Sequence, residues 1–191
     1  PKKLLKGCSS LISVSIMSPV TAIGEYCFDG CVSLNELIIP DSVTSYESNS
    51  FSGCYSLKNI KFPPYFESLG SFAFYRCKFL EISLPHSLKK IGHYAFSETP
   101  IREIIVPPSV TSIGSGAFKN CVNLVQATIP SSVTKIESST FEGCSSLPTI
   151  NLPSSITSIG DAVFKNCPIF NNFKIPEHVE SLGNEIFSGC P

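Results

Sequence analysis

The sequence lacks the features that mark a nucleic-acid-binding or membrane-spanning chain. Its 191 residues hold 14 Lys and Arg against 15 Asp and Glu, and no basic run could neutralise a row of phosphates. No apolar run reaches the ~20 residues that a membrane helix needs. The N-terminal stretch "PKKLLKGCSSL" also has no continuous apolar segment of the signal-peptide kind. We therefore expect a soluble chain with no nucleic-acid partner and no membrane insertion by this segment.

Motifs for catalysis are equally scarce. The three histidines, His86, His93 and His178, stand in variable positions, and none is paired with a serine or cysteine in a recurring pattern. No phosphate-binding glycine loop is present, because each glycine belongs to a turn or cap. The sequence therefore predicts neither an enzyme nor a cofactor site.

What the chain does have is a repeat of 22 or 23 residues that covers its whole length. "VTSIGSGAFKNCVNL" (110–124), "VTKIESSTFEGCSSL" (133–147) and "ITSIGDAVFKNCPIF" (156–170) are three copies of one pattern. One slot is proline in seven of eight copies: Met17, Pro40, Pro63, Pro85, Pro107, Pro130, Pro153 and Pro176. Another is always phenylalanine, and we number repeats 1 to 8 by it: Phe28, Phe51, Phe74, Phe96, Phe118, Phe141, Phe164 and Phe187.

Each repeat contains two apolar segments with the alternation of half-buried strands. In "LNELIIP" (34–40), Leu37 and Ile39 point inward and Glu36 and Ile38 point outward. The proline that follows has no N–H to donate, so it ends the pairing, and "SVTSY" (42–46) begins a second, shorter strand. The 15 prolines and 12 glycines argue against long helices. We predict one long and one short parallel strand per repeat.

A tight turn completes each repeat on its outer side. Six of the eight residues after the glycine slot are types that favour a helix N-cap: Ser48, Ser71, Ser115, Ser138, Asp161 and Asn184. Five positions later stand residues that mostly tolerate a left-handed conformation: Gly30, Gly53, Arg76, Asn120, Gly143, Asn166 and Gly189. Only one turn fits between these marks, so we predict a single helical or 3₁₀ turn that carries the phenylalanine.

A unit of this length cannot bury its own apolar face, so neighbouring repeats must stack with parallel strands ~4.8 Å apart. We predict that residues 1–191 form a single right-handed solenoid of about eight repeats, with partial repeats at both ends. "IPDSVTSYESNSFSGC" (39–54), "VPPSVTSIGSGAFKNC" (106–121) and "LPSSITSIGDAVFKNC" (152–167) resemble leucine-rich repeats of the BspA type, which are related to the treponemal class. The resemblance implies a mainly β coil whose long strands form a parallel sheet on the concave face.

Eight of the nine cysteines occupy one slot of the repeat: Cys8, Cys31, Cys54, Cys77, Cys121, Cys144, Cys167 and Cys190. An aligned inward column is typical of small packing residues, and parallel Cβ vectors do not suit disulfides between neighbours. The pair Cys27 and Cys31 lacks the two further ligands that zinc needs. We predict a column of reduced, packed thiols and no metal site.

The outward positions of the long strand vary from repeat to repeat. Since leucine-rich-repeat proteins present this sheet to partners, the resemblance implies eight candidate contacts: Glu36, Ile38, Lys58, Lys61, Glu81, Arg102, Glu103 and Ile105. The alternative is an ordinary solvated sheet.

Aromatic side chains concentrate where the two 22-residue steps fall: Tyr65, Phe66, Phe72, Tyr75, Phe79 and Tyr94. Phe66 is in an inward slot and belongs to the core. Tyr26, Phe72 and Tyr94 share an outward slot, so they form a candidate aromatic patch for a partner. Alternatively, these rings fold over gaps left by the shortened repeats.

These features favour a non-enzymatic binding module that recognises a protein partner. The resemblance implies a cell-surface or extracellular adhesion protein that contacts host matrix or plasma glycoproteins. An intracellular scaffold is the alternative, and repeat arrays without end caps also favour end-to-end self-association.

Overall fold

The computed structural model describes residues 1–78, 81–168 and 173–191, in which twelve short strands alternate with tight turns. Their bounds are β1 Ser13–Ser15, β2 Ala22–Ile23, β3 Glu36–Ile38, β4 Ser45–Tyr46, β5 Ser68–Leu69, β6 Lys90–Ile91, β7 Glu103–Ile105, β8 Ser112–Ile113, β9 Gln126–Thr128, β10 Lys135–Ile136, β11 Ser158–Ile159 and β12 Ser181–Leu182. Every strand pair is parallel and joins equivalent positions of neighbouring repeats. The predicted β solenoid is thus confirmed.

The short strands form the more continuous wall of the solenoid. β2, β4, β5, β6 and β8 make one five-stranded sheet, and β10, β11 and β12 make a three-stranded sheet. Ser68 pairs with Lys90 and Lys90 with Ser112, so the register holds across both 22-residue steps. The register survives because the missing residues lie in the segment after the cysteine slot, far along the chain from the short strand.

The long strands pair less often than the alternating pattern predicts. Only β1 with β3 and β7 with β9 form such pairs in the described residues. One cause is Pro148, which stands where Asn35 and Val125 donate their N–H groups to the preceding repeat at 2.9 and 2.8 Å. The strand predicted for repeat 8 begins at Asn172, which lies outside the described residues.

A second cause is an aromatic cluster behind the long strands of repeats 2 to 4. Tyr46, Phe62 and Phe66 occupy slots that most other repeats fill with Ile, Leu or Val, and their ring centroids lie 4.4 to 5.8 Å apart. Tyr46 is fully buried, and its hydroxyl donates to the Lys61 carbonyl at 3.3 Å. We attribute the lost pairing around Lys61 to these larger rings and to this competing hydrogen bond.

The outer segment of each repeat is a series of overlapping tight turns, and no helix occurs in the described ranges. In repeat 1, Cys27 donates to the Gly24 carbonyl and Cys31 to the Phe28 carbonyl, each across three residues. The N–H groups of Tyr26, Phe28 and Gly30 instead donate to carbonyls of repeat 2 at 2.8 to 3.0 Å. Because alternate N–H groups bind the next repeat, the turn cannot wind into the expected helical or 3₁₀ geometry.

The predicted left-handed positions are confirmed, but a second left-handed slot was not foreseen. The slot that holds Gly30 and Asn120 has positive φ in every repeat, for example 73° at Gly30 and 57° at Asn120. Four positions earlier, Tyr26, Asn49, Phe72, Tyr94, Gly116, Ser139, Ala162 and Glu185 also have positive φ. Since this slot accepts residues of every type, the alternate pairing between repeats imposes the conformation.

Two of the six predicted N-cap residues, Ser138 and Asp161, accept hydrogen bonds from the next repeat, and so does His93, which fills the same slot without being a predicted N-cap. The His93 imidazole accepts a hydrogen bond from the Ser115 N–H at 3.0 Å, through Nδ1. Ser138 Oγ likewise accepts from the Asp161 N–H at 3.2 Å. These side chains join consecutive repeats on the outer edge of the stack.

Two aligned columns, one of phenylalanines and one of thiols, run through the core beside buried Leu, Ile and Val side chains. The phenylalanines stack with centroids 5.3 to 6.0 Å apart and interplanar angles of 1° to 17°. Seven thiols donate to main-chain carbonyls of the preceding repeat at 3.1 to 3.2 Å, six of them to the phenylalanine of that repeat. In repeat 4, Thr99 takes the thiol's place and donates to the Phe96 carbonyl of its own repeat at 2.6 Å.

Candidate binding surfaces

All eight predicted contacts of the long-strand face are exposed. Glu36 and Ile38 lie on β3, Glu103 and Ile105 lie on β7, and the others lie on the segments that continue this face between those strands: Lys58, Lys61, Glu81 and Arg102. Ile38 and Ile105 are 62% and 59% exposed although both are large and apolar. The two isoleucines occupy the same slot three repeats apart.

An open depression of about 900 Å³, here called the long-strand groove, crosses this face from repeat 3 to repeat 6. It brings together four of the predicted contacts, Glu81, Arg102, Glu103 and Ile105. The other four predicted contacts, Glu36, Ile38, Lys58 and Lys61, are not among its lining residues. Residues that the sequence did not single out complete the lining: Asn59, Ile60, Ile82, Ser83, Leu84, His86, Pro107, Pro108, Val125 and Gln126.

The groove has an apolar floor and a polar rim. Leu84 is buried and Ile60 is partly buried, whereas Ile105 and Val125 expose 59% and 44% of their surface. Arg102 and two carboxylates, Glu81 and Glu103, stand at the edges, as polar groups do at the rim of protein interfaces. The pattern that could have located this groove is the pair of 22-residue steps, together with the doubled proline at Pro107 and Pro108.

The candidate aromatic patch is divided in the structure. Phe72 and Tyr94 stack with centroids 4.9 Å apart and an interplanar angle of 12°. The Tyr94 ring covers Gly116, where a Cβ atom would lie 2.3 Å from Tyr94 Cε1. Tyr26 is separated from these two rings by repeat 2, where Asn49 fills the same slot, and its ring faces the Lys6 ammonium at 4.6 Å. The rings of Phe72 and Tyr94 are half-buried, which also fits the alternative that they cover the shortened repeats.

A polar cluster adjoins Phe72 and Tyr94. Glu98 accepts hydrogen bonds from Arg76 Nε and from the Tyr75 hydroxyl, each at 2.8 Å. These donors, Arg76 first, hold the pKa of the Glu98 carboxyl below its ordinary value of 4.5. The Arg76 guanidinium also lies over the Tyr75 ring, 4.9 Å from its centroid. Phe79, the remaining aromatic of this region, lies outside the described residues.

The thiols are packing groups with little capacity for chemistry. Seven of them, Cys27, Cys31, Cys54, Cys77, Cys121, Cys144 and Cys167, are buried, and all nine are free. Burial raises the pKa of Cys77, Cys121 and Cys167 to about 12, so these groups stay protonated at neutral pH. Cys8 differs because it is exposed at the N-terminal end of the stack. Within the described ranges no three His, Cys, Asp or Glu side chains are grouped as metal ligands.

Parallel stacking, a repeating apolar column and variable outward positions define a leucine-rich-repeat solenoid, a class of repeat proteins that offer extended binding surfaces. A model of the BspA-type leucine-rich repeat region matches residues 1–124 and 67–191, so the chain belongs to the BspA-type leucine-rich repeat family. A search of curated proteins finds no match. In the described residues no helix could span a membrane.

Solved bacterial structures show the same architecture. A leucine-rich repeat protein from Bacteroides ovatus is 29% identical with a TM-score of 0.67, and the match covers 100% of this chain but 50% of that one. A leucine rich cell surface protein from Faecalibacterium prausnitzii is 26% identical over 96% of this chain and 62% of its own, with a TM-score of 0.57. The leucine-rich repeat protein of T. pallidum is 30% identical over 99% and 68%, with a TM-score of 0.54. The chain thus spans about half the length of the Bacteroides protein.

Proposed function

We propose that this chain is a protein-binding module whose long-strand groove contacts the partner. The observation that carries the proposal is that Arg102, Glu103 and the exposed Ile105 line one groove together with the buried Leu84 and the partly buried Ile60. Interfaces derive most of their affinity from a few anchors surrounded by groups that exclude water. Ile105 is such an anchor, because most of its side chain is in contact with solvent in the free protein.

We further propose that the module acts at a cell surface in adhesion or host interaction. The relative from Faecalibacterium prausnitzii is called a cell surface protein, which supports this location. Host matrix and plasma glycoproteins are the proposed partners, and end-to-end association of copies is a second mode of assembly. An intracellular scaffold is the competing function, and the packed, protonated thiols are compatible with both.

Two matched variants test the groove. Ile105→Glu places a charge in the groove, whereas Ile38→Glu makes the same change at an equally exposed position outside it. Binding to immobilised fibronectin, fibrinogen and other matrix and plasma proteins is measured for each. We expect Ile105→Glu to weaken binding about tenfold or more, as loss of one central anchor does, and Ile38→Glu to leave it near the parent value. Equal losses, or no binding by the parent chain, would contradict the proposal.

Labelling of intact cells tests the location separately. Surface function requires that an impermeant biotin reagent modifies the protein on whole cells. Modification that occurs only after permeabilisation would exclude adhesion and favour the intracellular scaffold.

A further inference from the structure

Repeat 4 is one residue shorter than its neighbour at the corner that follows the outer turn. Leu124 follows Phe118 by six positions, whereas the equivalent Ile101 follows Phe96 by only five. Thr99 holds the thiol slot, with its hydroxyl 2.6 Å from the Phe96 carbonyl oxygen and 3.4 Å from Cys121 Sγ. The chain then turns inward at once, because Ile101 is fully buried. One outward-facing residue is therefore missing from this corner.

The missing residue leaves a recess of about 260 Å³, here called the notch. Its floor is Glu98, Thr99 and Pro100 of repeat 4, and its walls are Lys78 on one side and Asn120 and Val122 on the other. The notch is smaller than the ~300–1,000 Å³ of small-molecule pockets, so it suits one inserted side chain. The main chain is held at the floor and at one wall, because the N–H of Glu98 donates to the Lys119 carbonyl at 2.9 Å and that of Asn120 to the Glu142 carbonyl at 2.7 Å.

The charges around the notch favour an anionic guest. Both carboxylate oxygens of Glu98 already accept hydrogen bonds, from Tyr75 and from Arg76. Lys78 is exposed and has no carboxylate within 4 Å among the described residues, and its ammonium lies 6.0 Å from the Tyr55 ring centroid. Arg76 and Lys78 together carry two positive charges against the one negative charge of Glu98. The local surface is therefore positive, although the chain as a whole has a net charge of −1.

Apolar groups flank this positive site. Tyr55 and Val122 expose 46% and 49% of their surface on either side of Lys78, and Pro100 lines the floor. Tyrosine is one of the residue types that are enriched among interface anchors. In repeat 6 the slot of Val122 holds Ser145 instead, and repeat 6 has the full length.

We propose that the notch receives an aspartate or glutamate side chain of a protein partner, which pairs with Lys78 while an apolar residue next to it packs on Val122 or, on the other side of Lys78, on Tyr55. This second contact site lies on a different face from the long-strand groove and does not depend on it. A carboxylate beside Lys78 gains a charge-assisted hydrogen bond, and the apolar walls shield that bond from water.

The test is selection of random twelve-residue peptides displayed on phage against the immobilised chain. The selected peptides are then synthesised, and their Kd is measured by fluorescence polarisation. Val122→Tyr fills the notch, and Lys78→Glu reverses its charge. Ser145→Tyr is the matched control, because it adds the same ring in the same slot beside a full-length repeat. Ile105→Glu serves as the groove control, and thermal melting checks that each variant is folded.

We expect selected peptides to carry Asp or Glu next to an apolar residue. Their Kd should rise about tenfold or more in Val122→Tyr and Lys78→Glu, and less than about twofold in Ser145→Tyr and Ile105→Glu. Replacing the acidic residue of the peptide by lysine should restore binding to Lys78→Glu. The proposed contact site at the notch would be overturned if no acidic peptide were enriched, or if Val122→Tyr and Ser145→Tyr weakened binding equally. Peptides that lose binding only in Ile105→Glu would also overturn it, while supporting the groove.

Discussion

Removing one ring from the phenylalanine column should destabilise the solenoid far more in the middle than at the end. Phe118 has no exposed surface and stacks between Phe96 at 5.7 Å and Phe141 at 5.5 Å. Phe187, in the last repeat, is 39% exposed and stacks on Phe164 at 5.8 Å. Both positions hold the same slot, although the Phe187 ring also makes an edge contact with the Phe173 ring at 5.3 Å.

The size of the effect follows from the cavity that truncation leaves. Phe→Ala in a packed core costs about 3–5 kcal/mol. We expect Phe118→Ala near the upper end of that range, because two stacked aromatic contacts disappear together and each contributes about 0.5–1.5 kcal/mol. In a chain of residues 1–191, Phe187→Ala should cost less than half as much, since solvent already reaches the ring. Lys61→Ala, on the exposed face, should change stability by less than about 0.5 kcal/mol.

Urea and thermal unfolding followed by circular dichroism measure these differences. For a chain of this size, 3–5 kcal/mol corresponds to a fall in Tm of roughly 6–20 °C. Equal effects of Phe118→Ala and Lys61→Ala would refute the assignment of inward and outward positions. Equal effects of Phe118→Ala and Phe187→Ala would refute the claim that stability rests on contacts between neighbouring repeats.

Two further predictions concern the thiols and the acid limb of stability. With a thiol reagent such as Ellman's, Cys8 should react rapidly in the folded protein, whereas the seven buried thiols should react only after denaturant is added. Rapid reaction of a buried thiol such as Cys144 would show that the reagent reaches the thiol column in the folded protein. Because the folded-state pKa of Glu98 is lowered, its contribution to stability is present above pH 4.5 and is lost as the pH falls through the folded pKa. Glu98→Gln should therefore lower Tm at neutral pH, and the Tm of this variant should fall less steeply below pH 4.5. Glu36→Gln should have neither effect. Identical profiles of Tm against pH for the two variants would contradict the role of the Arg76–Glu98 ion pair.

The sequence was sufficient to predict the stacking because the repeat leaves few alternatives. One slot is phenylalanine in every copy, and the proline slot recurs at nearly constant spacing. All copies can bury the phenylalanine in the same way only if equivalent residues of successive repeats lie next to one another. What it could not predict was the hydrogen bonding of the outer segment. Aspartate at position 161 favours a helix cap, but its Oδ1 instead accepts the N–H of Asn184 in the next repeat.

The long strands show why a binary pattern overestimates regular pairing. Alternation at Asn59 to Phe62 resembles that of β3, yet no strand forms there. Pairing requires the two main chains to approach to about 4.8 Å, and this depends on the volume of the side chains behind them. That volume is set jointly by Tyr46, Phe62 and Phe66, which lie up to twenty residues apart in the sequence. The alternation pattern within a single repeat therefore does not show their combined volume.

The same reasoning separates positions that build the solenoid from positions that recognise a partner. A perfectly regular repeat would offer every partner eight equivalent sites, and it would therefore fix no register on the protein. The long-strand groove and the notch both lie among repeats 3 to 6, where aromatic side chains widen the long-strand face and the missing residue beside Thr99 opens the corner. Each recess arises from a departure from the consensus that the core tolerates, because the phenylalanine column passes through repeat 4 unbroken at 5.6 and 5.7 Å. Specific binding by this chain should therefore map to repeats 3 to 6, and substitutions that restore the consensus there should raise stability while they remove binding.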